Sequence, residues 1–133
     1  KAVEELVRNS DIICTTTPST TPVLPDDKEL LRGKCIIAIG SYMPEMREIP
    51  DAVLDLVDNV YIELPYACEE SGDLSQPLAS GKLTKDRIKL MHEYHIAGEK
   101  EIKQDQTTYF KSVGMGLFDV CIAQKLYEVA KEK

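Results

Sequence analysis

Val3, Leu6 and Val7 recur at helical spacing with Glu4, Glu5 and Arg8 between them, which predicts an amphipathic helix over residues 1–9. Ile12, Ile13 and Cys14 follow without alternation, as in a strand covered on both faces of a parallel sheet. Pro18, Pro22 and Pro25 then exclude regular structure, Asp26 and Asp27 can cap a short helix through Leu31, and Gly33 closes it. Cys35 to Ile39 is again wholly apolar and reads as a second strand. It ends at Gly40 in a loop bracketed by Pro44 and Pro50, and a helix starts at Pro50, Asp51 and Ala52. Asn59 to Leu64 supplies a third strand, and the alternation of Val60, Ile62 and Leu64 predicts a position toward the sheet edge.

Beyond Pro65 the pattern loosens. Cys68 to Leu74 reads as a short helix ended by Gly72, and Gln76 to Leu78 as a connecting loop. Thr84 is expected to cap a helix whose buried face carries Ile88, Leu90, Met91 and Tyr94, ending near Gly98, with an exposed loop from Glu99 to Gln106. Thr107 to Ser112 suits a strand. From Val113 a long helix begins in which Met115, Phe118, Ile122, Leu126 and Val129 step by three or four, so it should pack on something substantial. Strands alternating with helices imply parallel pairing through right-handed crossovers. The fold class is therefore α/β: about three parallel strands flanked by helices, followed by a C-terminal strand and a long helix.

With 133 residues the chain has room for one domain. A net charge of -7 excludes a surface built to neutralise nucleic-acid phosphates or anionic lipid. Cys14, Cys35, Cys68 and Cys121 form no Cys-x-x-Cys pair, and the first two lie in apolar runs, so buried or inert thiols in a reducing compartment are expected. No apolar run nears the ~20 residues of a membrane span, and no signal-peptide core is present, so a cytoplasmic location is expected.

In open parallel sheets ligands lie beyond the carboxyl ends of the strands, which points to residues 15–21, 40–48 and 110–114. Thr15, Thr16 and Thr17 could bond a ribose or an amide, or simply cap their own loop. Ala38, Ile39, Gly40 and Ser41 offer a close approach to a flat ring. Ser112 and the amides after it could meet an electron-rich group, or Ser112 could serve as a plain helix cap. Lys111 alternates away from its neighbours and is a weaker candidate. His92 and His95, three apart with no evident third ligand, do not suggest a metal site. Asp26–Asp27 and Glu69–Glu70 read as caps or solvated faces.

These segments occur together and in order. Ile12 to Val23 (IICTTTPSTTPV), Ala38 to Glu48 (AIGSYMPEMRE), Glu70 to Leu74 (ESGDL) and Tyr109 to Asp119 (YFKSVGMGLFD) resemble the ornithine cyclodeaminase and mu-crystallin family over almost the whole chain. The resemblance implies the distal half of a Rossmann-type NAD(P)-binding domain, with residues 1–133 forming a partial domain. It also implies hydride transfer between nicotinamide and the α-carbon of a small amino acid or cyclic imine. On that likeness Thr17, Ala38, Ile39, Gly40, Ser41, Ser112 and Val113 contact the NAD or NADP cofactor, and Gly114 lies near substrate. Tyr42 stands where true cyclodeaminases carry an aspartate acid/base. A tyrosine with an ordinary pKa of about 10 is a poor base at neutral pH, so reductase or dehydrogenase activity fits better than ornithine cyclisation. The family's Gly-x-Gly-x-x-Ala turn and its substrate-gripping Arg and Lys would lie upstream of Lys1, so the isolated piece is expected to bind NAD(P) weakly and to be inactive. Two other readings are a self-associating interaction module, or homo-oligomer, with an open sheet edge, and a small-molecule-binding protein of the mu-crystallin type.

Overall fold

The computed structural model describes residues 2–96 and 105–131. Helix α1 (Ala2–Arg8) leads into β1 (Ile12–Thr15), and α2 (Lys28–Leu31) into β2 (Cys35–Ala38). Then come α3 (Asp51–Leu56), β3 (Val60–Ile62), α4 (Ala67–Glu70), α5 (Gly72–Ser80), a single 3-10 turn, β4 (Ile88–Leu90), α6 (Met91–Ile96), β5 (Thr108–Lys111) and α7 (Gly116–Lys131). The strands form one five-stranded sheet in the order β1-β2-β5-β3-β4, and every neighbouring pair is parallel. The α/β class and the parallel sheet thus agree with the sequence pattern, while the strand count is higher than expected.

Asp27 caps α2 by accepting from the amides of Glu29 and Leu30, and Asp26 accepts from the Ala52 amide in the first turn of α3 at 2.8 Å. The adjacent acids therefore start two different helices. Alternation sends Ile13, Ile36, Val60, Ile62 and Tyr109 to one face of the sheet, where they join Leu31, Val53, Leu54 and Leu74 in one buried cluster. The opposite face is less covered. Ile12 is 66% exposed and Cys14 is exposed, which corrects the expectation of a first strand buried on both faces with an inert thiol. Cys121 is exposed as well.

Four further expectations change. β3 lies between β5 and β4, not at an edge, because the last strand inserts beside it. Its alternation reflects unequal cover of the two sheet faces: Val60 and Ile62 are buried and Tyr61 only partly so. Gly72 begins α5 instead of ending a helix, and Gln76, Pro77 and Leu78 lie within that helix. Ser71 makes the new start by accepting from the Asp73 amide. Ile88 and Leu90 belong to β4, so the expected helix from Thr84 is a turn, a strand and only then α6. The Tyr94 and His95 side chains and residues 97–104 lie outside the described residues. Finally, α7 begins at Gly116 instead of Val113, and none of its residues is buried among the described residues.

Candidate functional site

Register places the sequence-predicted loops together. Thr15 pairs with Ala38, Ala38 with Lys111, and Lys111 with Ile62, so four parallel strands end at one level. The segments that follow them, including Thr17, Gly40, Glu63 and Ser112, leave from the same carboxyl rim. Gly40 and Gly114 therefore emerge beside each other, after adjacent strands β2 and β5.

Two buried carboxylates organise this rim. Glu48, fully buried, accepts from the Thr17 amide at 2.5 Å, the Gly40 amide at 2.8 Å and the Thr15 hydroxyl at 2.9 Å. It ties the loop after β1 to the loop after β2. Gly40 is required for this approach, because a Cβ there would sit 2.2 Å from the Thr17 carbonyl oxygen and 2.3 Å from its nitrogen. Glu63 Oε1 accepts from the Ser112 hydroxyl at 2.8 Å, the Val113 amide at 2.7 Å and the Gly114 amide at 3.0 Å. Tyr66 donates to the Gly114 carbonyl at 2.6 Å, and this fixes the third loop.

A deeper layer supports the first. Asp73 Oδ1 accepts from the amides of Glu48 at 2.7 Å and Ile49 at 2.9 Å. Asp73 Oδ2 faces Lys111 Nζ at 3.6 Å, both side chains being fully buried. Burial pushes the Asp73 carboxyl above the usual carboxylate range, and the amides of Ile49 and Glu48 and the Lys111 charge oppose that push. Burial likewise pulls Lys111 down, against the upward pull of Asp73, Glu48 and Glu63. Tyr109, on the same face of β5, is held well above the ordinary tyrosine range by burial, reinforced by Asp73 and Glu48. Ser41 is buried too, donating to the Met46 carbonyl at 2.8 Å and bonded to Ser71 at 2.9 Å.

The sequence-predicted residues divide accordingly. Thr17, Ile39, Gly40, Tyr42, Val113 and Gly114 lie partly or fully exposed at the rim, Ile39 at 37% and Tyr42 at 50%. Ala38, Ser41 and Ser112 are buried beneath it. The backbone amides of Val113 and Gly114, expected to face a ligand, are taken by Glu63. Ser112 stands before α7 without capping it and donates to the same carboxylate. Sequence reasoning gave no role to Glu48, Glu63 or Asp73. The legible signal was an acid inside an otherwise apolar strand end, Ile62-Glu63-Leu64, and another closing the loop after Gly40. His92 is exposed on α6.

The rim suits a flat, uncharged or cationic group. It does not suit a phosphate, since the amides of Thr17, Gly40, Val113 and Gly114 are already engaged and carboxylates lie directly below. A nicotinamide ring is a group of this kind, and Ile39 offers an exposed apolar side chain at the rim.

The ornithine cyclodeaminase/mu-crystallin family profile matches residues 1–133. The chain belongs to this family. A delta(1)-pyrroline-2-carboxylate reductase from Bacillus cereus is 37% identical over 136 residues, covering 100% of this chain and 41% of that protein. Mouse ketimine reductase mu-crystallin is 32% identical over 127 residues, covering 96% of this chain and 38% of its own length. Among solved structures, Thermococcus litoralis delta(1)-pyrroline-2-carboxylate reductase in complex with NADH and L-proline superposes with a TM-score of 0.80 at 26% identity, covering 97% of this chain and 40% of that one. The chain thus spans about 40% of the length of the relatives it matches. Among the described residues, no helix is long and apolar enough to cross a membrane.

Proposed function

We propose that this chain forms the nicotinamide-receiving part of an NAD(P)-dependent oxidoreductase acting on a cyclic imine or small amino acid, with imine reduction as the favoured direction. One observation carries the reading: loops containing Thr17, Gly40 and Ser112–Gly114 leave neighbouring parallel strands at one rim, held there by Glu48 and Glu63. The relatives named as pyrroline-carboxylate and ketimine reductases support this substrate class. A nicotinamide held here would supply a hydride to the carbon of an iminium, whose nitrogen already carries its proton, or would take one from the α-carbon of an amino acid as a proton leaves to solvent.

In this reading Thr17, Ile39 and Gly40 contact the ring, and Ala38, Ser41 and Ser112 support the contact from below. Val113 and Gly114 line the other side, Gly114 toward substrate. The buried carboxylates favour a ring or iminium that carries positive charge. Tyr42, half exposed on the β2 loop, donates a hydrogen bond to the substrate. A phenol in place of an aspartate carboxyl at this position disfavours an ornithine cyclodeaminase role. The apolar residues that α7 leaves exposed, Leu117, Phe118, Ile122 and Leu126, favour assembly into a homo-oligomer.

The test is NADH and NADPH consumption by the full-length protein with delta(1)-pyrroline-2-carboxylate, beside ammonia release from L-ornithine. Consumption with the imine and no ammonia is expected, with kcat lowered in Tyr42→Phe. Cyclodeamination of ornithine, or no binding of either dinucleotide, would refute the proposal.

A further inference from the structure

Lys111 is a costly residue in its position. Its ammonium is fully buried, lies 3.6 Å from Asp73 Oδ2 and makes no hydrogen bond. A methionine of similar volume would fill the site without that desolvation cost, so stability alone does not account for a lysine here. Its surroundings do. Asp73 faces it from α5, Glu48 from the loop after β2 and Glu63 from the end of β3, while Tyr109 shares its face of β5 and Arg47 lies near Tyr109. Each acid holds part of the rim through donors that only a carboxylate can satisfy together: three at Glu48, three at Glu63 and two at Asp73. Like charges crowded in low dielectric take up protons, and a protonated carboxyl turns one acceptor oxygen into a donor.

We propose that Lys111 is a positioning residue whose buried ammonium, 3.6 Å from Asp73 Oδ2, balances the charge that Asp73, Glu48 and Glu63 bring together, and so holds all three rim loops in the geometry that receives the ring. This rests on the nicotinamide reading, so the experiment has two independent arms. In the first, amide proton shifts of Thr17, Gly40, Val113 and Gly114 are followed by NMR against pH in the cofactor-free full-length protein. Wild type should be flat between about pH 5 and 8, and Lys111→Met should titrate in concert as a carboxyl gains a proton. Lys111→Gln, which keeps a donor without the charge, should behave as Lys111→Met does and stands in for it if that variant does not fold. Leu54→Ala, a core variant that lowers stability elsewhere, should stay flat.

In the second arm, NADH affinity in Lys111→Met should fall about tenfold at the acid end and recover as pH rises, the size of one lost charge-assisted hydrogen bond. Flat amide shifts in both Lys111 variants, with NADH affinity within about twofold of wild type, would overturn the proposal. Failure of wild type to bind NADH or NADPH would sink the nicotinamide reading, while the amide titration still decides what Lys111 does to the loops.

Discussion

Substituting Gly40 with alanine adds one methyl group at the point where the first two rim loops touch. The new Cβ would meet the Thr17 carbonyl oxygen at 2.2 Å, the Thr17 nitrogen at 2.3 Å and Glu48 Oε1 at 2.7 Å. Two of these are backbone atoms that cannot rotate away, so the loops must part. Overpacking of this kind costs about 1–3 kcal/mol. Parting the loops also strips donors from a buried carboxylate, at about 1–3 kcal/mol for a group left unsatisfied. Alanine restricts the unfolded chain and returns about 0.4–1 kcal/mol. The balance is a loss of about 3 kcal/mol, which at a urea dependence of about 1–3 kcal/mol per molar lowers the unfolding midpoint by roughly 1–3 M with little change in slope. Urea denaturation followed by circular dichroism measures this. Hydrogen exchange adds a local readout, since the Thr17 and Gly40 amides should lose protection first. A midpoint within about 0.3 M of wild type, with both amides still protected, would show that the loops yield without cost and refute the close-approach argument.

Two further predictions concern the scaffold. Arg87 donates to the carbonyls of Leu54 and Val57, each at 2.6 Å, and of Asp58 at 3.1 Å, closing the C-terminal end of α3. Arg87→Met keeps the stem and should cost about 2 kcal/mol by thermal unfolding, whereas an unchanged Tm would mean that solvent replaces these bonds. Asp55 bridges Lys28 at 2.7 Å and Lys82 at 2.6 Å. These partners, Lys28 first, hold its carboxyl below the ordinary value of 3.8. Its folded pKa is depressed, so its stabilisation is present above pH 3.8 and fades as pH falls through the lower folded value. Solvent limits the gain: Asp55→Asn should cost about 0.2–1 kcal/mol at neutral pH and nothing in strong acid, and a loss that persists in acid would contradict the ion-pair origin.

The parts legible in the sequence were those written by local chemistry. Cys35 to Ala38 was readable as a strand, with Ile36 and Ala38 buried and Ile39 left exposed, and the paired acids announced the start of α2, which Asp27 caps, but not the reach of Asp26 to α3. The parallel sheet followed from alternating element types, and its rim from the placement of glycine and threonine after the strands. What was hidden depended on tertiary neighbours. Ile88 and Leu90 fell within a helical spacing with Met91 and Tyr94, and a three-residue strand is too short to outvote it. Ser71 converted Gly72 from a terminator into a beginning, and Pro77 was accommodated because only one intrahelical donor is lost there. Ligand-facing amides at Val113 and Gly114 were a fair expectation for any strand-to-helix junction. An acid from a distant strand had already claimed them, a pairing that residue spacing does not encode. Lys111 was rightly turned away from the rim by alternation, but what it turned toward was not readable.

The position of β5 has a consequence for how the chain reaches its shape. It is last in sequence among the strands yet lies third of five across the sheet. Until it arrives, β1 with β2 and β3 with β4 are separate two-stranded ribbons, each too small to persist alone. The contact from Gly33 to Thr107 spans 74 positions, so closure is a long-range event and slow to nucleate. A nascent chain emerging from the ribosome should therefore remain protease-sensitive until roughly residue 111 has cleared the tunnel, then become resistant in one step as both ribbons join.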